Sequence, residues 1–452
     1  MNNFIFCPEI ISRLVFYPVW DMWDRSKKLS EYHSLMNSQW ESRDTLQNDQ
    51  ENRVRELLLY ASEYSPYYKD LFSDNNIDLQ NPNFTQLIHS VPVTKKQDLR
   101  NNIDRFISNE FKKEELINAK TGGSTGFSLD LFFDKRCQEK RNAAAMRTDK
   151  WAGWEAGKVR GDLWGNPKLP KSVKQKIRNC LLDKIIYLDT MKLSDHSMSR
   201  FVERVRNYGV EVIFGHAHSI FLLAKFIDSQ KLMIPPMTGV ISTSMMLIES
   251  ERKLIERVFS CKVTNRYGCE EVGLIASECE LHEGLHVNME HVFVEIVNEQ
   301  GEAVKDGEVG KVLVTDLNNH AMPLIRYQVE DMAVATSRQC SCGRGSQLIE
   351  GLSGRVADFL KLSDGSSVAG ISLIERTLTK VIGIEQMQIV QKKLDEIEIN
   401  RVKGRDFTDS SDQELMAELS QVFGEEVKIR VIDVDRIPQE KNGKYRFSIC
   451  QL

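Results

Sequence analysis

The sequence lacks an uninterrupted hydrophobic run long enough to cross a membrane as a helix, which takes about 20 apolar residues. The apolar N-terminal stretch, MNNFIFCPEIISRLVFYPVW, is broken by Pro8, Glu9, Arg13 and Pro18. It also lacks the basic start and the small-residue cleavage site of a secretory signal peptide. We therefore interpret it as a packed helix or arm, with contact to a membrane surface as the lesser alternative.

The chain also lacks an excess of basic residues, low-complexity tracts and internal repeats. Its net charge of −5 argues against nucleic-acid binding through bulk electrostatic attraction. The 452 residues, 41% of them hydrophobic and 28% charged, suffice for a globular protein of about two or three domains. The nine cysteines are an odd number spread along the chain, so we expect a reducing, cytoplasmic location and no disulfide framework.

A glycine-rich stretch, TGGSTG, runs from Thr121 to Gly126. It lacks both common phosphate-loop patterns, Gly-Lys-Ser/Thr and G-x-G-x-x-G. Its glycines permit positive φ, and its backbone N–H groups and hydroxyls can form a concave anion site. The following residues alternate as in a strand, with Leu129, Leu131 and Phe133 on one side. The pattern predicts a hairpin loop that folds over the phosphates of a nucleotide; a flexible surface turn is the alternative.

The order of predicted elements indicates an α/β protein. Residues from about 20 to 115 look largely helical, with one apolar stripe formed by Val54, Leu57, Leu58 and Ala61. Between about 200 and 300, helices alternate with short apolar strands, which predicts a largely parallel sheet.

Near residue 354 the pattern changes to short β-rich runs, an amphipathic helix over 411–423 and a last strand within EEVKIRVIDVDRIP. This combination is typical of a small α+β unit that folds separately. We therefore predict a large N-terminal domain, residues 1–355, and a small, mobile C-terminal domain, residues 356–452.

Five further segments follow one another along the chain in this order: TGVISTSMML, RYGCEEVGLIASEC, TDLNNHAMPLIRYQVEDMAV, LSGRVADFL and IPQEKNGKYR. Together with the glycine-rich hairpin, this ordered set resembles the adenylate-forming ligases. It is most similar to the phenylacetate–coenzyme A ligase family, including its CapK-like branch, because NHAMPLIRY followed by an Asp and then by CSCGR is close to that family's own pattern. The resemblance runs from about residue 50 to the C-terminus and implies that the large domain is the adenylate-forming domain.

The resemblance assigns the nucleotide site residue by residue. The hairpin residues Ser124, Thr125 and Gly126 would close over the β- and γ-phosphates of ATP. Tyr267, followed by Gly268, would pack on the adenine. The backbone from Thr243 through Ser244 to Met245 would line the other side of the base.

The resemblance also assigns the charged residues. Glu271 would help to hold Mg²⁺, Asp331 would bind the ribose hydroxyls, and Arg355 would reach the ribose or a phosphate. Asp358 would be the hinge between the domains. Lys444 would bridge the carboxylate and the α-phosphate during adenylation, and a rotation of the small domain would bring it in and remove it again.

The function that the resemblance implies is activation of a carboxylic acid to an acyl-adenylate, followed by acyl transfer to the thiol of coenzyme A. Transfer to an amine or hydroxyl of a sugar or peptide, and a degenerate nucleotide-binding homologue, are the alternatives. The substrate would be a small carboxylate, in a pocket near the segment FGHAHS with His216 and His218, either of which could instead be structural. Family members are often dimers, which leaves a homodimer open.

The sequence departs from the family pattern at three places. Phe127 and Ser128 follow the hairpin where a small residue or proline is usual, Met245 stands where Glu is common, and Glu330 stands where Gly usually precedes the Asp. These departures bear on loop mobility, on adenine contacts and on the charge near the ribose. They are the reason for keeping the degenerate homologue among the alternatives.

Cysteines and histidines cluster in two short segments, SECELHEGLH and CSCG. Zinc takes four sulfur or nitrogen ligands in a tetrahedron. We predict a structural zinc site formed by Cys279, His286, Cys340 and Cys342, with His282 as the alternative fourth ligand. The resemblance points the same way, because some members of the family carry a structural zinc here. The competing interpretation is a set of packed thiols beside a surface histidine.

Overall fold

The N-terminal part of the chain is helical, as predicted. The structure, a computed structural model, describes residues 7–120, 129–164, 169–190, 193–355, 359–363, 367–404, 406–438 and 446–452. A π-helical segment, Ser12–Phe16, joins the first two helices. The helices are α1 (Glu9–Ile11), α2 (Tyr17–Trp23), α3 (Lys28–Ser38), α4 (Arg43–Tyr64), α5 (Pro66–Asp74), α6 (Phe84–Ser90) and α7 (Lys96–Phe106).

Helix α4 shows why this region folds as it does. The Ser42 hydroxyl accepts a hydrogen bond from the Thr45 amide and so caps the start of the helix. The helix ends at Tyr64, and Pro66 begins the next helix at a position where its missing N–H costs nothing. The stripe predicted from Val54 to Ala61 is fully buried in the largest hydrophobic core.

The glycine-rich segment is flanked by two strands, β1 (Ile117–Lys120) and β2 (Asp130–Phe133), which pair antiparallel with Ile117 opposite Phe133. The predicted hairpin strands are therefore confirmed. Residues 121–128, which include the loop itself, lie outside the described residues. Helix α8 (Lys135–Trp151) follows, capped by the Asp134 carboxylate.

The next part of the chain builds the parallel half of a large sheet. Its strands are β3 (Arg160–Trp164), β4 (Ile185–Asp189), β5 (Val212–His216), β6 (Gly239–Thr243) and β7 (Val263–Cys269), side by side in the order β4-β3-β5-β6-β7. The intervening helical elements are α9 (Val173–Arg178), a π-helical segment (Asn179–Asp183), α10 (Asp195–Tyr208), α11 (Ala217–Ser229) and α12 (Glu249–Phe259). The predicted βαβα alternation between 200 and 300 is therefore confirmed.

The other half of the same sheet is antiparallel, which corrects the prediction of a largely parallel sheet. It consists of β8 (Gly273–Glu278), β9 (Leu285–Val287), β10 (Val292–Val297), β11 (Val309–Asp316), β12 (Tyr327–Ala335) and β13 (Leu348–Arg355). Starting from β7, the spatial order is β7-β8-β9-β13-β12-β11-β10. The connections here are short and contain no helix, and parallel neighbours need a longer crossover connection.

The C-terminal part forms a second, smaller α+β unit. It contains β14 (Phe359–Lys361), β15 (Ser367–Ala369), α13 (Gly370–Lys380), β16 (Ile384–Lys393), β17 (Glu396–Lys403), α14 (Asp409–Phe423), β18 (Lys428–Asp433) and β19 (Ser448–Cys450). Four of these strands form a sheet in the order β18-β17-β16-β19. The strand predicted as the last is β18; the short strand β19, parallel to β16, was missed.

The two sheets have separate hydrophobic cores, and the large sheet ends at Arg355. The exact domain boundary at 355/356 stays a prediction. Met245, Met246 and Ile248, from the loop after β6, pack on the core of the C-terminal unit. Among the described residues, no helix combines the length and the apolar character needed to span a membrane.

Candidate active site

The C-terminal ends of the parallel strands meet at one edge of the large sheet. Leu163 pairs with Gly215 between β3 and β5, and His216 pairs with Thr243 between β5 and β6. Ligands of open α/β sheets bind outside the carboxyl ends of such strands. Trp164, His216 and Thr243 are thus the strand-end residues of this edge, and Tyr267 lies near the end of the neighbouring strand β7.

Strand β7 is the point where the sheet changes direction. It pairs parallel with β6 on one side and antiparallel with β8 on the other. Gly268 lies at an irregularity of this second pairing, and a Cβ atom there would come within 2.5 Å of the Gly273 carbonyl oxygen. The glycine after Tyr267 is therefore required by the close approach of β8.

Two residues that the resemblance placed on the nucleotide lie in direct contact. The Tyr267 hydroxyl donates a hydrogen bond of 3.0 Å to Oδ2 of Asp331, on β12. The tyrosine is buried, and the aspartate is only partly covered. The backbone of Arg355, on β13, pairs in register with that of Asp331. The tyrosine, the carboxylate and the backbone of the predicted arginine are thus brought together, while their roles toward a nucleotide stay predictions.

A second tyrosine–carboxylate pair lies beside the first. The Tyr327 hydroxyl donates to Oε1 of Glu271 at 3.2 Å, and both side chains are buried. Burial and the nearby Glu271 carboxylate raise the pKa of Tyr327 well above its usual value, so the hydroxyl stays a proton donor. Tyr327 is a site residue that the sequence reasoning did not identify, although it was present in the quoted segment.

Arg141 is another residue that sequence reasoning missed. From helix α8 its guanidinium donates to the carbonyl oxygen of Glu271 at 2.7 Å and to Oδ2 of Asp316 at 2.9 Å. Both side chains of this ion pair are almost fully buried, so it fixes the loop that carries Glu271. No motif marks Arg141, because only the packing of α8 against the sheet brings it to this loop.

The backbone is unusual at two positions of the site. Ser244, directly after β6, has a φ of 64°, a left-handed conformation that is uncommon for residues other than glycine. Glu330, next to Asp331, has a φ of 67°. Position 330, where the family usually has Gly, therefore has a backbone conformation that favours glycine. In this chain a glutamate adopts that conformation.

The Glu330 side chain has a cationic neighbour that the sequence reasoning also missed. Lys96 Nζ, at the start of α7, lies 3.5 Å from Glu330 Oε2. Both residues line a cleft of about 830 Å³ between α7 and the strands β11 and β12. The carboxylate predicted to add negative charge near the ribose is thus paired with a lysine.

The two histidines of FGHAHS have different surroundings. The His216 ring lies 4.3 Å from that of Trp164, centroid to centroid, at the sheet edge described above. The His218 ring is fully buried, bonds through Nδ1 to Glu251 and contacts Phe447 of the C-terminal unit. Of the two, His216 therefore lies where a substrate pocket is expected, and His218 has the contacts of a structural residue.

Five predicted site residues lie in parts of the chain outside the described residues. They are Ser124, Thr125 and Gly126 of the glycine-rich loop, Asp358 as the predicted hinge and Lys444 as the predicted catalytic lysine. Their assignments therefore stay predictions from the sequence.

A separate cluster brings together the four residues predicted to bind zinc. The ligand atoms of Cys279, His286, Cys340 and Cys342 all lie within 4.8 Å of one another. Cys279 Sγ is 3.7 Å from Cys340 Sγ, and Cys342 Sγ is 3.5 Å from His286 Nε2. A zinc tetrahedron with Zn–S bonds of about 2.3 Å and Zn–N bonds of about 2.0 Å has edges of roughly 3.5 to 3.8 Å. The side chains present therefore fit zinc, and the ion itself stays a prediction.

The surroundings of the cluster favour His286 over His282 as the fourth ligand. The Nδ1 atom of His286 lies 2.8 Å from the Ser346 hydroxyl, which leaves Nε2 directed at the thiols. Such a hydrogen bond on the far nitrogen is typical of metal-bound histidines. His282 instead bonds through Nδ1 to Glu278 at 3.2 Å. Ser346 carries no sequence signal that could have assigned it this role.

Comparisons with known proteins agree with this architecture. Residues 360–451 match the family model of the CapK C-terminal domain. Protein CapK of Staphylococcus aureus is 23% identical over 410 residues, which cover 89% of each chain. Phenylacetate-coenzyme A ligase of Thermus thermophilus is 24% identical over 326 residues, 70% of this chain and 72% of the relative. The crystal structure of 2-hydroxyisobutyryl-CoA ligase in complex with 2-HIB-AMP matches with a TM-score of 0.70 at 18% identity, over 89% of both chains.

The fold is therefore that of the adenylate-forming ligases, with a large N-terminal and a small C-terminal part. In sequence, the chain is similar to protein CapK and to the phenylacetate-coenzyme A ligases, and its C-terminal unit matches the CapK C-terminal domain. The resemblance predicted from the ordered motifs is thus confirmed.

Proposed function

We propose that this protein is an AMP-forming acid–thiol ligase. It activates a small carboxylic acid with ATP and passes the acyl group to coenzyme A. The observation that carries the proposal is the pair of contacts at the sheet edge, Tyr267 to Asp331 and Tyr327 to Glu271. These four residues come from two segments that lie about 60 residues apart in the sequence, and the sequence motifs predict all but Tyr327 as residues of the nucleotide site.

The reaction consists of two balanced steps. In the first, a carboxylate oxygen of the acid attacks the α-phosphorus of ATP, the bond to the β-phosphate oxygen breaks, and pyrophosphate leaves. In the second, the thiol sulfur of coenzyme A attacks the acyl carbon, the bond to the AMP oxygen breaks, and AMP and a proton leave. Each step exchanges one leaving group for one nucleophile, so no oxidant or reductant is required.

The described residues support the binding of the nucleotide. The Tyr267 ring stacks on the adenine, and the Asp331 carboxylate, oriented by the tyrosine hydroxyl, accepts hydrogen bonds from the ribose hydroxyls. Glu271, held by Tyr327 through its side chain and by Arg141 through its backbone, offers a carboxylate oxygen to Mg²⁺. When bound, this cation offsets the negative charge that accumulates around the phosphates during the first step.

The remaining catalytic group is supplied by Lys444. Its ammonium bridges the carboxylate and the α-phosphate, where a preorganised positive charge is most effective. The C-terminal unit already contacts the loop after β6 through Met245, next to the backbone assigned to the adenine. Rotation of this unit about Asp358 would exchange Lys444 for the thiol acceptor between the two steps.

The predicted zinc would be structural. With Cys279, His286, Cys340 and Cys342 as its ligands, no coordination position remains open for a substrate. The site would fix the turn between β12 and β13 to the end of β8, and so stabilise the sheet region that carries Asp331.

The test is a product analysis with the purified chain, ATP and Mg²⁺ over a panel of aryl, acyl and amino acids. In the presence of coenzyme A, the proposal predicts AMP and one acyl thioester in equal amounts, detected by mass spectrometry. AMP without thioester, accompanied by an amide or ester when an amine or sugar is added, would favour the alternative acceptor. ATP binding without turnover of any acid would favour the degenerate homologue.

A further inference from the structure

The helical segment from Glu9 to Trp23 presents an apolar face to solvent. The segment runs through α1, the π-helical turn and α2 without a break. Its exposed apolar residues recur at spacings of one, three and four positions, so they share one side. This face consists of Ile10 (61% exposed), Ile11, Leu14 (66%), Val15, Val19 and Met22 (75%). Trp23, 73% exposed, lies at its end.

Several polar residues of the segment contact the protein body instead. Arg13 pairs with Glu155, and Asp21 accepts a hydrogen bond from the Leu29 amide. Ser12 and Tyr17 are buried. The exposed side of the segment is therefore mainly apolar, because its charged side chains form ion pairs or hydrogen bonds and are only partly exposed.

The segment is anchored, so its apolar face cannot be covered by a simple rotation. Lys184, almost fully buried, donates from Nζ to the carbonyl oxygens of Cys7 and Gly157. A Cβ atom at Gly157 would come within 2.6 Å of the Glu9 carbonyl oxygen, which shows how closely the segment approaches the body. The buried ammonium group thus fixes the start of the segment to the sheet domain.

A basic helix lies alongside this face. In α9, the Lys174 ammonium lies 5.7 Å from the centroid of the Trp20 ring and 5.9 Å from that of the Trp23 ring. The stretch KSVKQKIR, residues 171–178, contains four basic residues and no acidic one, in a chain with a net charge of −5. Its own apolar residues, Val173 and Ile177, are also exposed.

We propose that this surface, the segment Glu9–Trp23 with the basic helix α9, docks on an anionic phospholipid bilayer. Apolar side chains on a helix with a terminal tryptophan suit the boundary between headgroups and acyl chains. The exposed lysines 171, 174 and 176 complement the negative charge of the lipid surface. A second copy of this chain fits less well, because the same lysines would then face each other.

The test is flotation of the full-length protein with vesicles of phosphatidylcholine alone or mixed with phosphatidylglycerol. The proposal predicts binding to the mixed vesicles that weakens as salt is raised. The variant Lys171→Gln/Lys174→Gln/Lys176→Gln should lower this binding by about tenfold or more. The variant Leu14→Ser/Trp23→Ser should lower binding by a similar factor, on the order of tenfold, because it removes apolar contact with the acyl chains.

Matched controls carry the same kinds of change elsewhere on the surface. They are Met233→Ser, at a position 82% exposed, and Lys112→Gln/Lys253→Gln/Lys262→Gln, three exposed lysines from other elements. Both controls should bind vesicles like the parent. All altered side chains are exposed, so thermal unfolding should be unchanged, which separates loss of docking from loss of fold.

The proposal is overturned if the parent does not float with the mixed vesicles, or if both surface variants float as well as it does. It is also overturned if sedimentation shows a dimer that Leu14→Ser/Trp23→Ser converts to a monomer while vesicle binding is absent. In that case a second copy of the chain covers the apolar face.

Discussion

The hydroxyl of Tyr267 and the carboxylate of Asp331 are joined by a 3.0 Å hydrogen bond across 64 residues of sequence. The tyrosine lies on β7, where the sheet changes from parallel to antiparallel, and the aspartate lies on β12 of the antiparallel half. The bond ties the ring proposed to stack on adenine to the carboxylate proposed to bind ribose. The carboxylate proposed to bind ribose is therefore already held by a hydrogen bond when no nucleotide is present.

Tyr267→Phe removes the hydroxyl and keeps the ring. We expect the Kd for ATP to rise about tenfold, because a hydrogen bond to a charged group contributes about 1.5 kcal/mol or more. Isothermal titration calorimetry measures this change. Tyr60→Phe is the matched control, since its hydroxyl bonds to Ser108 away from the site and its loss should leave the Kd unchanged. Equal Kd values for the parent and Tyr267→Phe would show that Asp331 is not oriented by this bond.

Tyr327→Phe leaves the buried Glu271 carboxylate without its hydroxyl donor. We expect the free energy of unfolding to fall by about 1 to 3 kcal/mol, because a buried charged acceptor loses a partner. The Mg²⁺ concentration that half-activates the enzyme should also rise, since Glu271 is no longer oriented. Urea denaturation and a Mg²⁺ titration of activity check the two effects. A Mg²⁺ requirement that stays the same would argue against Glu271 as the residue that holds the cation.

The choice between the two candidate histidines can be made by zinc content. We expect His286→Ala to lose stoichiometric zinc and to unfold at a clearly lower temperature, because a structural zinc site contributes directly to folding. His282→Ala should keep the zinc, since its ring bonds to Glu278 and does not face the thiols. Elemental analysis and a thermal melt of both variants decide the point. Absence of zinc from the parent protein would end the proposal of a metal site.

Glu330 offers a test of the strained backbone beside Asp331. At a φ of 67°, a glycine relieves strain that an alanine keeps, so we expect Glu330→Gly to be more stable than Glu330→Ala by about 1 kcal/mol. Both variants lose the ion pair with Lys96, so the difference in stability between them reports only on the backbone conformation. Chemical denaturation of the two proteins gives the difference. If alanine is as stable as glycine, the left-handed conformation at this position is not maintained in solution.

Much of the fold followed from local sequence patterns. The buried stripe of α4, the strand–helix alternation around β5 and β6 and the strands on both sides of the glycine-rich loop all have strong periodicity. The direction of β8 to β13 could not be predicted in the same way, because strand direction depends on which neighbours pair. The short strand β19 was not predicted, because three residues are too few to show the alternation of a strand.

The site was predictable to the extent that its residues lie in ordered motifs. Tyr267, Glu271 and Asp331 were found through their segments, and the structure brings their elements to one edge of the sheet. Arg141 and Ser346 act through contacts that exist only after α8 and the turn before β13 have packed, so no local pattern reveals them.

The measurement that tests the central claim most directly is carboxylate-dependent ATP–pyrophosphate exchange, with Mg²⁺ and a panel of acids, for the parent and for Lys444→Ala. We predict exchange with one chemical group of acids, and a loss of on the order of a hundredfold or more in the variant, because the ammonium acts on charge that develops in the transition state. ATP binding by both proteins, measured in parallel, shows that the variant is folded. Exchange that survives in Lys444→Ala, or no exchange and no ATP binding by the parent, would contradict the account.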